Sequence, residues 1–228
     1  FPQYWFNDNE EGNKNEHERD FLEDQMKRLG LSSKSMKYLK ILNADFERKI
    51  LDDFNQHKNN DLLVIVYNFI DILSHAKTDN VIVNQLIRDD KTFRSLTYNW
   101  FENSSLIKII KTAAENGFKL VITTDHGTVY VKKPSKVVGD RETSTNIRYK
   151  TGRSLTYENS DVWAISNPEK LFLPKGNLSS KYIFAKNNIF LAYPKNYNHF
   201  VNYYKDTYQH GGISLEECII PISILEPK

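Results

Sequence analysis

Three stretches of this 228-residue chain offer side chains able to hold a divalent metal: Asp71-x-x-x-His75, Asp125-His126-Gly127 and His210-Gly211-Gly212. Asp and His together suit zinc or manganese. Asp71 and His75 are four apart, so they share a face if their segment is helical. Asp125 and His126 are neighbours, and both can reach a metal only from a tight turn. The two glycines after His210 let the backbone take unusual dihedrals beside it. Five candidate ligands exceed what one tetrahedral zinc takes from protein. The set therefore fits a two-metal site, an arrangement that serves phosphoryl and phosphodiester transfer. Each stretch also has an ordinary reading: Asp125-His126-Gly127 as a turn with a capping Asp, Asp71-x-x-x-His75 as a chance pair. Their joint occurrence, two of them just past apolar runs, favours the metal. His17, His57 and His199 read as surface or packing residues.

The apolar runs are the elements that must position these groups. LLVIVYNF (62–69) and FKLVITT (118–124) read as buried strands, rich in β-branched residues and nearly continuous, as central parallel strands are. Between them, segments 81–87, 90–101 and 106–116 read as helices, so the pair predicts a parallel crossover. The carboxyl edge of such a sheet is where ligand sites form. Upstream, 16–29 reads as a helix capped by Asn15, YLKIL (38–42) as a short strand, and 43–58 as a helix capped by Asn43. Downstream, short strands are expected at 128–133, 146–150, 162–165, 182–185 and 189–193, separated by turn chemistry. A helix is expected at 197–208 and a closing strand at 218–225. The whole predicts an α/β fold: a mainly parallel sheet flanked by helices, with a small antiparallel extension.

Composition narrows the class. A hydrophobic fraction of 39% supplies a core, and the net charge of +2 does not announce a nucleic-acid binder. No apolar run approaches the roughly 20 residues a membrane span needs. No secretory leader is visible, and the single cysteine, Cys218, excludes an internal disulfide. A cytoplasmic protein is the expectation. The start, Phe1-Pro2-Gln3-Tyr4-Trp5-Phe6, lacks Met and carries four aromatics, and reads as the interior of a longer protein.

The order Asp-x-x-x-His, Asp-His-Gly and a late His before a final strand resembles the alkaline phosphatase superfamily. More narrowly, YQHGGISLEECIIPISIL resembles the closing signature of PglZ domains. NFIDILSHAKTD, TTDHGT, PSKVVGDRETS, NIRYKTGRSL and IFAKNNIFLAY resemble the PglZ domain of type IX secretion response regulators. The resemblance covers essentially the whole chain, and its motifs together are specific. It implies that Asp71, His75 and His210 bind one zinc and that Asp125 and His126 bind a second. It also implies an Asp and a nucleophilic Thr or Ser lying upstream of the aromatic start. On that expectation 1–228 is the C-terminal part of the domain, holds about one zinc of a two-zinc site, and has little activity alone.

In the complete domain, Lys136, Lys150 and Arg153, near Gly139 and Gly152, are candidates for binding substrate phosphates. Their plain alternative is a solvated loop. Tyr149 or Tyr157 is a candidate for stacking on a base. Two functions follow. One is a zinc-dependent phosphodiesterase acting on cyclic or linear oligonucleotides. The other is a signalling module that binds a sigma factor, a secretion component or a second copy through an exposed sheet edge.

Overall fold

The structure, a computed structural model, describes residues 4, 17–41, 43–140, 143–175 and 179–227. The aromatic start apart from Tyr4, the polar stretch 7–15 and the Asn15 cap lie outside these, as do residues 141–142. In chain order the elements begin α1 (Glu18–Arg28), β1 (Met36–Ile41), α2 (Ala44–Asp52), β2 (Leu62–Tyr67), α3 (Phe69–Asp79), α4 (Val81–Leu86), α5 (Asp90–Asn103) and α6 (Ser105–Glu115). Then come β3 (Leu120–Thr123), β4 (Val129–Val131), β5 (Lys133–Lys136), β6 (Tyr149–Gly152), β7 (Val162–Ile165), β8 (Lys181–Ala185) and β9 (Ile189–Ala192). The last are α7 (Tyr197–Tyr204), β10 (Thr207–Gln209), α8 (Leu215–Cys218) and β11 (Ile222–Leu225). The chain divides into two compact units.

One unit comprises Asn15–Leu73, Ile82–Thr123 and Pro221–Lys228. Its β1 and β2 pair in parallel, from Met36 opposite Leu62 to Ile41 opposite Tyr67. α2 makes the crossover between them. Its start is set by Asn43, whose side chain accepts from the Phe46 N–H at 2.9 Å. Its Ile50, with Phe54 just beyond, is buried against Leu39, Ile41, Ile109 and Ala113, so the apolar face of the helix is the one that packs. α2 is shorter than expected; it stops at Asp52 and a 3-10 turn carries Phe54 inward.

The strand partners correct the expected sheet. β3 pairs antiparallel with β11, from Leu120 opposite Leu225 to Thr123 opposite Ile222. Among the described residues no ladder joins β2 to β3. Among the described residues only β1–β2 and β5–β9 are parallel; β3–β11, β4–β10, β6–β8 and β7–β8 are antiparallel. The sheet is therefore not mainly parallel. Nor are the two apolar runs fully buried: β2 is mostly half-buried and most of β3 is exposed, Val121 at 59%. An apolar run signals a strand, but it does not say which distant run will lie beside it.

The other described unit comprises Ser74–Val81 and Thr124–Ile220. Here β6, β8 and β7 form the expected antiparallel part, in that order. Val137, Val162, Ile183, Ala185 and Leu191 fill one core cluster, and Val131, Ile147 and Phe190 fill another beneath α7. α7 ends at Tyr204, short of the expected 208. Asp206 takes a left-handed conformation, φ 63°, that a helix cannot continue. Its N–H donates to the Val131 carbonyl at 2.8 Å, and Thr207–Gln209 then pairs with β4 as β10.

Candidate metal-binding site

β10 delivers His210, the residue immediately after it, and α3 delivers His75. The two elements are tied where they meet. The Gln209 amide donates to the Thr78 hydroxyl at 3.1 Å, and Tyr203 hydrogen-bonds Asp79 at the end of α3. The Nε2 atoms of His75 and His210 stand 3.3 Å apart, with the rings edge to face at 77°. Two imidazoles on one tetrahedral zinc, with Zn–N bonds of about 2.0–2.1 Å, place their nitrogens about 3.3 Å apart. The pair fits a shared cation; without one, a single proton between the two nitrogens serves the same geometry.

His126 completes the cluster. Its ring stacks on His210 with centroids 4.0 Å apart and 14° between planes. Its Nδ1 lies 3.1 Å from the Gly127 carbonyl. A carbonyl only accepts, so Nδ1 carries the proton and Nε2 presents its lone pair, the orientation a metal-binding histidine needs. Asp125 caps the turn, its carboxylate accepting from the His126 N–H at 3.0 Å. Its other oxygen lies 3.6 Å from His126 Nε2, too long for a hydrogen bond. The Asp125 side chain is 85% exposed and open to a further ligand.

The turn after β3 is held by its glycine. A Cβ on Gly127 would stand 2.0 Å from the Glu216 carbonyl oxygen, so no other residue fits the approach. The Gly127 N–H donates to the Glu217 carbonyl at 2.9 Å. At the start of α8 the Glu217 side chain reaches back to the Ser214 N–H at 3.0 Å, as the N3 residue of a capping box does. That spacing is legible in Ser214-x-x-Glu217, although its bearing on the histidines is not. Asp71 lies one helical turn before His75 on α3 and is half-buried.

The expected phosphate-binding residues differ in burial. Lys136 and Arg153 are exposed. Lys150 is buried, 1% exposed, and its ammonium donates to the Ser144 and Thr145 carbonyls at 3.0 and 3.1 Å. It also lies 4.2 Å from the Tyr193 ring centroid. Lys150 thus holds loop 143–145 in place instead of facing a substrate, because its alternate position on β6 points it inward. Tyr149 packs beside Tyr182 and Phe184, and Tyr157 against the Val137 cluster, so neither offers a free stacking face.

No protein of curated function matches the chain. A family model does, over residues 3–224. Its breadth covers all three histidine segments and the elements that carry them. The chain belongs to the family described as the BREX system PglZ alkaline phosphatase-like domain, and its fold is a phosphoesterase-like hydrolase fold.

Proposed function

We propose that the chain is the metal-binding part of a zinc-dependent phosphodiesterase. Asp71, His75 and His210 hold one zinc, and Asp125 and His126 contribute to a second. The observation that carries this reading is the convergence of three imidazoles, with His75 and His210 at ligand spacing and His126 in the metal-binding tautomer. Bound zinc would neutralise phosphate oxygens and acidify the attacking hydroxyl or water. The exposed Lys136 and Arg153 supply cations for flanking phosphates, consistent with a cyclic or linear oligonucleotide substrate. Resemblance to the PglZ domain of PorX-type response regulators supports a place in cytoplasmic two-component signalling linked to type IX secretion.

The test is elemental analysis and calorimetric titration of the purified chain. About one zinc ion per chain is expected, lost in His210→Ala. Inorganic phosphate, an analogue of the transferred group, should bind only the zinc-loaded protein. Absence of zinc from both wild type and variant overturns the reading.

A second reading, a module that binds a sigma factor, a secretion component or a second copy, has one observation in its favour. β3 and β11 expose Val121 at 59%, Ile222 at 66% and Ile224 at 58%, more apolar surface than one strand pair normally leaves in water. Partner binding that survives His210→Ala and Asp125→Ala together would favour it.

A further inference from the structure

Behind the histidines lies a buried ion pair that metal binding does not directly use. Arg148, fully buried, donates from Nε to Glu217 Oε1 at 3.0 Å and from Nη2 to Oε2 at 2.9 Å. The same guanidinium reaches the main chain of two strands, through the Ile189 carbonyl and the Ala185 carbonyl. The Glu217 carboxylate also accepts from the Gly212 N–H at 2.9 Å and the Ser214 N–H at 3.0 Å. Four donors thus converge on one carboxylate and fill its acceptor sites.

The position of that carboxylate matters more than its charge. Gly212 lies two residues beyond His210. The carbonyl of the same Glu217 accepts from Gly127, the residue after His126. A single residue therefore grips both histidine-bearing turns and is itself clamped to β8 and β9 through Arg148. Asn146 reinforces one side: it accepts from the Arg148 N–H at 2.7 Å, and its amide packs under Gly211, where a Cβ would approach within 2.8 Å.

We propose that Glu217, held by Arg148, is the positioning residue that sets His126 and His210 against each other. A buried ion pair is a poor source of net stability, since apolar pairs of similar volume often do as well or better. Its use here is registry: two turns distant in sequence are brought to one carboxylate in a fixed geometry. Lysine in place of Arg148 would keep the charge but lose the planar fork.

The inference rests on the zinc reading for its affinity arm, but not for its structural arm. In the first arm, zinc affinity is measured by calorimetry for wild type, Glu217→Gln, Arg148→Lys and the apolar double variant Arg148→Met/Glu217→Leu. Changes to outer-shell partners typically cost 10–100-fold in metal affinity, and that loss is expected in all three. The double variant should recover thermal stability without recovering affinity. Wild-type affinity in the folded double variant overturns the proposal. In the second arm, long-range imidazole ¹H–¹⁵N spectra of the metal-free protein report the tautomer and surroundings of His126 and His210. They should change in Glu217→Gln. They should also change in Gly212→Ala, whose added methyl would meet the Glu217 carboxylate at 2.6 Å and shift it while keeping the ion pair. Unchanged histidine spectra in Gly212→Ala overturn the proposal even if the other variants fail to fold. If wild type binds no zinc, the spectra still decide the positioning, and only the proposed function falls.

Discussion

At the scale of single residues, burial separates side chains that look alike in sequence. Lys150 and Arg153 are three apart and both cationic, yet one holds carbonyls inside the protein and the other is exposed. Lys150→Met should cost about 1–3 kcal/mol, the net worth of hydrogen bonds from a charged donor, while Arg153→Ala should stay within about 0.5 kcal/mol. Urea unfolding of both variants checks this. Binding of a short oligonucleotide should weaken in Arg153→Ala and not in folded Lys150→Met. Gly127 gives a sharper case, because the atom its Cβ would meet is main chain and cannot rotate away. Gly127→Ala should displace the His126 turn, with zinc affinity falling at least tenfold by the outer-shell precedent. Calorimetry of the folded variant reads that outcome.

At the scale of elements, local signals worked where the cause of an element is local. The Asn43 cap and the identities of α2, α4, α5 and α6 follow from side-chain chemistry within one or two turns. Asn43→Ala should therefore destabilise by about 1 kcal/mol, the usual worth of an N-cap. Phe190 on β9 is fully buried under α7. Phe190→Ala should cost about 3–5 kcal/mol through lost transfer energy and the cavity left behind. Denaturant midpoints at unchanged slope would confirm both. Where the cause is not local, the signals failed. α7 stops and β10 begins because Asp206 turns toward the Val131 carbonyl, a partner 75 positions away in a strand that 197–208 does not encode.

At the scale of the whole molecule, buried and paired carboxylates set how stability varies with acid. Burial pushes the Glu217 carboxyl up, but the Arg148 hydrogen bonds and charge and two backbone N–H groups outweigh it and hold it below its ordinary value of 4.5. Asp161 is held low chiefly by its hydrogen bond from Lys133, at 2.7 Å. A carboxylate depressed in the folded state stabilises fully above its unfolded pKa, and that contribution is lost as pH falls through the folded value. Stability should thus hold above about pH 5 and decline below about pH 4.5, where unfolded Glu begins to bind protons. Glu217→Gln should flatten part of that decline in pH-dependent thermal unfolding. Among the described residues no helix is long and apolar enough to cross a membrane.

The sequence by itself determined helices such as α2, α4, α5 and α6 and strands such as β2 and β3, because side-chain periodicity and capping are properties of neighbours. It also marked His75, His126 and His210 as residues of one chemical kind in three separate segments. Only the tertiary structure decided that these three rings meet, that β3 pairs with β11 and not with β2, and that Lys150 points inward. It alone disclosed that Arg148 and Glu217, 69 residues apart, form one buried pair. Such pairings are chosen by the combined packing of many distant groups, and no window of the sequence contains both partners.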